Sequence, residues 1–283
     1  TDCEADSLSE VPATLLICLC GLVGNGAVLW LLGCRIRRNP ITVYVFSLAI
    51  ADFTFLLSIA IALVMFYGPL SFCHRLGSRD VMAMLNIIII FVFTTSIYLL
   101  AAFAISVDRC VSVFFPIWYR CYRPRHLSGI VSGLLWAFAG AFVSSMYLSF
   151  HFRVTYEEVF GGIGIAIIVT LSSVMLISNL SLFIKLRCGF QRRHPGKLYV
   201  AVLLNVIFFF VLAIPFSIEV FLNLNHRWHL FPNQVPFLLA LLNSNTNPIV
   251  YFLVGSCQRG RIQGSLKAAF RQVFEEKAVS AEG

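Results

Sequence analysis

The sequence predicts an all-α membrane protein, a bundle of seven transmembrane helices followed by a short amphipathic eighth helix. Three observations lead to this prediction: seven long apolar stretches, basic loops that all fall on one side of the bundle, and a charged fraction of only 12%. Each stretch can cross a hydrocarbon core of about 30 Å as a helix. The stretches cover approximately residues 11–33, 41–67, 81–107, 127–149, 159–184, 198–224 and 230–254.

The distribution of Lys and Arg predicts the orientation of the bundle, because basic loops are retained on the cytoplasmic side during insertion. Most of the 21 basic residues follow the first, third, fifth and seventh stretches. We therefore expect an extracellular tail over residues 1–10, a transmembrane domain over 11–254 and a cytoplasmic segment over 255–283. Anionic membrane lipids and an acidic cytosolic partner account for the net charge of +8, so it requires no nucleic acid.

Topology limits the roles of the nine cysteines. Only Cys3 and Cys73 fall on the extracellular side, where redox conditions permit a disulfide. Either these two form a bridge between the tail and the loop before helix three, or both are free thiols. Cys257, just after helix seven, is either a palmitoylated juxtamembrane cysteine or an unmodified thiol.

An ionisable side chain inside a membrane is costly and therefore marks a functional or structural site. Asp52 is the only carboxylate deep in a predicted helix, and its candidate partners are Asn25, Asn243 and Asn247. We expect a polar cluster that reorganises when the bundle changes shape and that offers oxygen ligands to a sodium ion. The alternative is a cluster that only joins helices through hydrogen bonds.

Two prolines predict kinks in the helices. Pro248 lies between Asn247 and Tyr251 in an Asn-Pro-x-x-Tyr motif at the inner end of helix seven, and Pro215 lies in helix six. Each proline removes an i to i−4 hydrogen bond and leaves a carbonyl without its helical partner. Two such hinges beside a cytosolic cavity suit an opening motion.

Asp108 and Arg109 close helix three at its cytoplasmic end. Combined with the Asn-Pro-x-x-Tyr motif, this pair resembles the rhodopsin-like (class A) G-protein-coupled receptors, and the resemblance covers nearly the whole chain. Gly24 and Asn25 in helix one, the segment 48–52 in helix two and Trp136 in helix four also match.

Within that class the chain is similar to Mas and the Mas-related receptors. The similarity rests on the segments 18–26, 115–121 with 123–125, and 247–256. Like those receptors, the chain lacks a cysteine at the outer end of helix three, and Ala213 replaces the Trp that most class A receptors have two residues before Pro215. One departure is Tyr147, which stands where some members have an acidic residue.

The resemblance implies a plasma-membrane receptor, not an enzyme, that binds an extracellular peptide or small-molecule agonist. It also implies activation of heterotrimeric G proteins, of the Gq or Gi class, with arrestin as a further partner. The residues implied for coupling and switching are Asp108, Arg109, Asn247, Pro248, Tyr251, Pro215 and Ala213. In many class A receptors a helix-six acid pairs with Arg109, but the matching position near Pro195 has no acid around it. We therefore expect appreciable basal signalling.

The outer rim predicts the chemistry of the ligand. Glu157, Glu158 and Glu219 favour a cationic peptide or an amphiphilic amine, whereas helix three has Phe91 where amine receptors place an acid. The full set of candidate ligand-binding residues is Glu219, Glu157, Glu158, Tyr147, Phe91, Phe216 and Trp228. The alternatives are a small apolar or neutral ligand, or mainly constitutive activity. A transporter or channel is a remote alternative, since no internal repeat is visible.

The chain after Gly255 predicts an amphipathic helix on the inner leaflet. Its apolar residues recur at helical spacing, and basic residues lie between them. The apolar set is Ile262, Leu266, Ala269, Phe270, Val273 and Phe274. This helix either has a structural role or contacts the G protein or arrestin.

Overall fold

The computed structural model describes residues 5–36, 39–67, 93, 97, 100–112, 114–124, 126–151, 157–188, 197–215, 218, 235–258, 261–262 and 266–274. The helices are α1 (Ala5–Cys34), α2 (Pro40–Tyr67), α3 (residues 100–112), α4 (Leu127–His151), α5 (Glu157–Cys188), α6 (Lys197–Phe208), α7 (Val235–Ser256) and α8 (Leu266–Phe274). Two π-helical turns cover Trp118–Tyr122 and Phe209–Ala213. Two short strands, β1 (Cys257–Gln258) and β2 (Arg261–Ile262), pair antiparallel.

Four of the described helices are long and apolar enough to cross a membrane, over Pro12–Cys34, Pro40–Val64, Leu127–Leu148 and Val159–Lys185. A shorter apolar helix covers Val200–Leu212. α7 has 22 residues, but its hydropathy is lower because residues 243–247 are all polar. Large apolar side chains such as Val23, Leu134 and Ile177 point outward, as expected where the solvent is lipid.

Helix α1 begins earlier than the sequence predicts. The predicted extracellular tail covers residues 1–10, whereas the helix already includes Ala5. The apolar part of α1 starts only at Pro12. The extra residues therefore extend the helix beyond its apolar span, and Pro12 lies inside the helix, where it has no amide to donate to the carbonyl of Leu8.

The chain widens into a π-helical turn just before Pro215. The amide of Ile214 donates to the carbonyl of Phe209, five residues back, instead of the usual four. Proline removes one main-chain donor, and a wide turn is one way in which a helix accommodates the resulting mismatch. The distortion predicted around Pro215 therefore takes the form of a π-turn that includes Ala213.

The segment after α7 corrects one prediction from the sequence. Ile262 was expected in an amphipathic helix that starts soon after Gly255, but it lies in β2, and the helix covers only Leu266–Phe274. The sequence explains the interruption, because Gly260 and Gly264 are both poor helix formers. β1 and β2 reverse the chain, and α8 then contacts α6 and α7.

Close contact between α1, α2 and α7 depends on two glycines in α1. A Cβ atom on Gly21 would lie 2.5 Å from Leu56 Cδ1 and 2.7 Å from Asn245 Oδ1. A Cβ atom on Gly24 would lie 3.1 Å from Pro248 Cβ. Small residues allow membrane helices to approach closely, which compensates for the weak hydrophobic drive between helices in lipid.

We predict that Gly21→Ala lowers the thermal stability of the detergent-solubilised protein. Overpacking costs about 1–3 kcal/mol, whereas the better helix propensity of Ala returns at most ~1 kcal/mol. Gly33→Ala is the matched control, since its Cβ would lie 3.8 Å from the nearest atom, Phe46 Cε2. Equal melting temperatures for the two variants would contradict this packing.

Candidate functional site

Pro248 leaves the carbonyl of Ser244 without its helical donor, and α1 supplies a replacement. Asn25 Nδ2 donates to Ser244 O at 2.9 Å and to Gly21 O at 3.0 Å. Asn25 is only 1% exposed, so no bulk water can compete for this carbonyl. The side chain thus stabilises the helix break in α7 and joins α1 to α7 at the same point.

Asp52 on α2 lies beside the same break. Asn247 Nδ2 donates to Asp52 Oδ2 at 2.7 Å, and the side chain of Ser244 also hydrogen-bonds Asp52. Both Asp52 and Asn247 are 3% exposed, and Asn243 on the same helix is buried. Since a lone carboxylate is costly in an apolar interior, its donors are what make this position tolerable.

The cluster contains an oxygen suited to a cation. Asn25 Oδ1 is buried and accepts no hydrogen bond from any described residue. Together with Asp52 and Ser244 it offers hard oxygen ligands around one negative charge, which suits sodium better than a soft transition metal. Among the described residues, no group of three or more His, Cys, Asp or Glu side chains could hold a metal ion.

A second polar cluster forms at the inner end of α3. Tyr119, on the π-helical turn after α3, donates its hydroxyl to Asp108 Oδ2 at 2.7 Å. Arg123 Nη2 lies 2.5 Å from Asp108 Oδ1 and donates to Ser128 Oγ on α4 at 2.7 Å. The Arg123 guanidinium also lies over the Tyr119 ring at 4.5 Å. Asp108 is therefore the acceptor that joins α3, the loop after it and α4.

Burial shifts the pKa values of Tyr119 and Asp108. Burial, and then the hydrogen bond to Asp108, raise the pKa of Tyr119, so the hydroxyl stays protonated and remains a donor at neutral pH. Burial also raises the pKa of Asp108, while the Tyr119 hydrogen bond and the Arg123 and Arg109 charges oppose that rise. The carboxylate thus depends on these three residues for its negative charge.

Arg109, unlike its neighbour Asp108, has a polar atom that is not hydrogen-bonded to any residue that the structure describes. Its Nε atom is buried and has no hydrogen-bond partner among the described residues. Burial lowers the pKa of Arg109 to about 10, so the side chain still carries its charge at neutral pH. A buried cation with an unused donor at the end of a helix can donate a hydrogen bond to a carbonyl or carboxylate of another molecule.

The remaining predicted switch residues lie on α7 and at the π-helical turn after α6. Tyr251 on α7 is buried and its ring contacts Phe270 of α8, with 6.1 Å between the centroids. Pro215 is described just after the π-helical turn, and Ala213 closes that turn.

The predicted ligand-binding and disulfide residues lie mainly outside the described residues. This holds for Phe91, Phe216, Glu219, Trp228, Cys3 and Cys73. Glu157 and Glu158 begin α5, where only the backbone is described. Tyr147 is on α4 and is 37% exposed.

The sequence did not reveal the partners of Asp108. Tyr119 and Arg123 are 11 and 15 residues after it, and nothing in that spacing predicts a contact across an irregular loop. It also missed Asn179 on α5, whose Nδ2 donates to Ser106 Oγ on α3 at 3.0 Å. The usable signal was burial: polar residues inside apolar stretches need partners on neighbouring helices.

Comparisons with known proteins agree with this architecture. Residues 24–251 match the family described as 7 transmembrane receptor (rhodopsin family). Proto-oncogene Mas of Mus musculus is 35% identical over 266 residues, which cover 91% of this chain and 81% of that protein. Mas-related G-protein coupled receptor member D of Rattus norvegicus is 37% identical over 286 residues, covering 94% of this chain and 86% of the relative. Member X2 of Hoolock hoolock is 37% identical over 290 residues, covering 98% and 86%.

The chain therefore belongs to the rhodopsin family of seven-transmembrane receptors and, within it, to the Mas and Mas-related G-protein-coupled receptors. This confirms the predicted seven-helix fold and the resemblance noted from the motifs. The protein is an integral plasma-membrane receptor for an extracellular ligand, it couples to G proteins, and it is not an enzyme.

We predict that Asn25→Ala destabilises the folded receptor, because the Ser244 carbonyl and the Asp52 cluster lose a buried donor. An unsatisfied buried polar group costs about 1–3 kcal/mol. Thr246→Ala is the control: Thr246 lies on α7, the helix that Asn25 contacts, is only partly buried, and donates its hydroxyl to Leu242 O of its own helix. Melting of the solubilised proteins tests this, and an Asn25→Ala protein as stable as the control would contradict it.

Proposed function

We propose that this receptor binds a cationic peptide or amphiphilic amine between the outer ends of its helices and activates G proteins of the Gq or Gi class. The amino terminus is extracellular in this proposal, and arrestin is a further partner. The agonist acts by preferring one of two pre-existing arrangements of the bundle. The acidic outer rim, with Glu157, Glu158 and Glu219, supports a cationic ligand.

The main support for G-protein coupling is that Arg109 has a buried hydrogen-bond donor without a partner among the described residues. Asp108 is engaged by Tyr119 and Arg123, and Arg109 keeps a buried donor with no partner among the described residues. A charged donor in this state is suited to bind the carboxy-terminal helix of a G-protein alpha subunit, whose last carbonyls lack helical donors.

The loop after α3 supports the same assignment. Ile117 is 74% exposed, and Phe115, Trp118 and Tyr122 are exposed beside it. An exposed apolar cluster on the cytoplasmic side of a membrane protein suits a protein partner. The Asp108 contacts hold this loop against α3 and α4, so it can present those side chains in a defined position.

The polar cluster around Asp52 has a regulatory role in this proposal. A sodium ion bound by oxygens of Asp52, Asn25 and Ser244 would stabilise the arrangement in which these residues lie together. A change in helix positions that separates α2 from α7 would break the Asn247 to Asp52 hydrogen bond. The cluster therefore couples the position of α7 to the presence of the cation.

A receptor for a small apolar or neutral ligand, or one with mainly constitutive activity, is the alternative. The specific observation in its favour is the absence of an acid around Pro195 in the sequence, a position outside the described residues. Without an acid there to pair with Arg109, the bundle opens more readily and signals without ligand.

We predict that Arg109→Ala abolishes G-protein activation in transfected cells, both without ligand and with a panel of cationic peptides. Arg35→Ala is the control, since Arg35 is exposed and lies over the Trp30 ring away from this cluster.

In the same assay Glu219→Gln should weaken the response to cationic peptides by about tenfold, corresponding to ~1.4 kcal/mol. Glu276→Gln, in the cytoplasmic segment, should not.

Each arm has its own contradicting result. Activation that survives Arg109→Ala would contradict the coupling role. Basal activation that needs Arg109, combined with indifference to every cation, would retain the receptor and eliminate the cationic ligand. A level of basal activity equal to that of empty-vector cells would contradict the expected basal signalling.

A further inference from the structure

Helix α8 is attached to the bundle by its apolar face. Ala269, Phe270 and Val273 are all between 0% and 1% exposed, whereas Arg271 is on the exposed side. The burying surface comes from the protein, because α8 contacts both α7 and α6. These three side chains therefore face protein rather than the inner leaflet, where sequence analysis placed them.

The contact with α7 is close and specific. The Phe270 ring lies edge-on against the Tyr251 ring, with 6.1 Å between centroids and 66° between planes. Gly255 lies so near α8 that a Cβ atom on it would overlap the carbonyl group of Ala269. Only glycine at position 255 allows the two backbones to come this near.

The contact with α6 occurs at the same place. Lys197, the first residue of α6, donates its Nζ to the carbonyl of Gly255 at 3.1 Å. The inner end of α6 is thus bound directly to the inner end of α7 and also contacts α8. Any movement of α6 away from α7 must break the Lys197 hydrogen bond and uncover part of α8.

We propose that α8 is an autoinhibitory clasp that holds the inner ends of α6 and α7 together and so restrains the opening that admits a G protein. This inference rests on the proposed coupling role of the α3–α6–α7 end of the bundle. The clasp provides, from the carboxy-terminal side, part of the restraint that a helix-six acid paired with Arg109 would provide, so it limits basal signalling without abolishing it. Apolar burial holds α8 in place, and the hydrogen bond from Lys197 to the Gly255 carbonyl joins α6 to α7, so the clasp needs no carboxylate.

Gly255→Ala is the most selective test of the clasp. Gly255 lies in the last turn of α7, and alanine is a better helix former than glycine, so the variant should leave α7 helical and act by displacing α8. In nanodiscs with purified G protein, we expect basal nucleotide exchange to rise at least about threefold over wild type. Gly133→Ala is the matched control, since a Cβ on Gly133 would meet nothing within 4 Å.

A second variant acts from the other side of the contact. Val273→Asp places a carboxylate at a fully buried position of α8 and should displace the helix without changing α7. It should raise basal exchange as Gly255→Ala does. If Gly255→Ala does not fold, Val273→Asp alone tests whether α8 restrains basal exchange.

A photo-crosslinking measurement locates α8 independently of signalling. A diazirinyl phenylalanine in place of Phe270 should crosslink to peptides of α7 in the wild-type background, and to lipid after Gly255→Ala. Crosslinking to lipid in the wild-type background would overturn the clasp. Release of α8 by Gly255→Ala without a rise in exchange would also overturn it.

The failure of the clasp can be distinguished from the failure of the coupling proposal. If basal nucleotide exchange depends on Arg109 but not on Gly255 or Val273, only the clasp is contradicted. Exchange at the level of empty nanodiscs in every variant contradicts the coupling role and the clasp with it.

Discussion

A proline within α7 leaves one main-chain carbonyl without its helical donor, and the arrangement of α1, α2 and α7 depends on how that carbonyl is satisfied. In a bundle surrounded by lipid, each buried polar group must find its partner within the protein. Asn25 reaches the Ser244 carbonyl only because α1 lies close to α7, and Gly21 and Gly24 provide that closeness. Asp52 can then remain buried, because Asn247 and Ser244 donate to it from the same broken turn. The helix break, the small residues and the buried carboxylate are therefore one structural unit.

Polar groups at the carboxy-terminal end of α3 follow the same rule with a different outcome. Tyr119 and Arg123 satisfy Asp108, which fixes the loop after α3, and Arg109 keeps a buried donor with no partner among the described residues. The two polar clusters lie on different helices, α1, α2 and α7 in one case and α3 and α4 in the other. The opening of α6 that we propose would leave the Asn25 contact between α1 and α7 in place. A receptor with two states requires a rearrangement of this kind, in which one helix moves while other helices stay in contact.

Much of this arrangement could be predicted from the sequence, and the physical reason is the membrane. Long apolar stretches define the spans, and a polar residue such as Asp52 or Asn247 inside them stands out because burial there is costly. Proline has no amide hydrogen, and this alone predicts that Pro248 leaves the Ser244 carbonyl without its helical donor. The sequence could not predict that Tyr119 and Arg123 pair with Asp108, because an irregular loop determines that contact. It also could not show that the chain reverses after Gln258, so that Phe270 faces Tyr251 rather than lipid; helical spacing of apolar residues is the same in both cases.

We propose that the hydrogen bond between Asp52 and Asn247 couples α2 to α7 during activation. A double-mutant cycle measures this most directly: agonist-stimulated nucleotide exchange in nanodiscs for wild type, Asp52→Ala, Asn247→Ala and the double variant, each normalised to the amount of folded receptor. If the bond carries the coupling, the two single effects on exchange do not add, and the double variant resembles either single variant. Strictly additive effects would show that the two residues act independently and would contradict the claim.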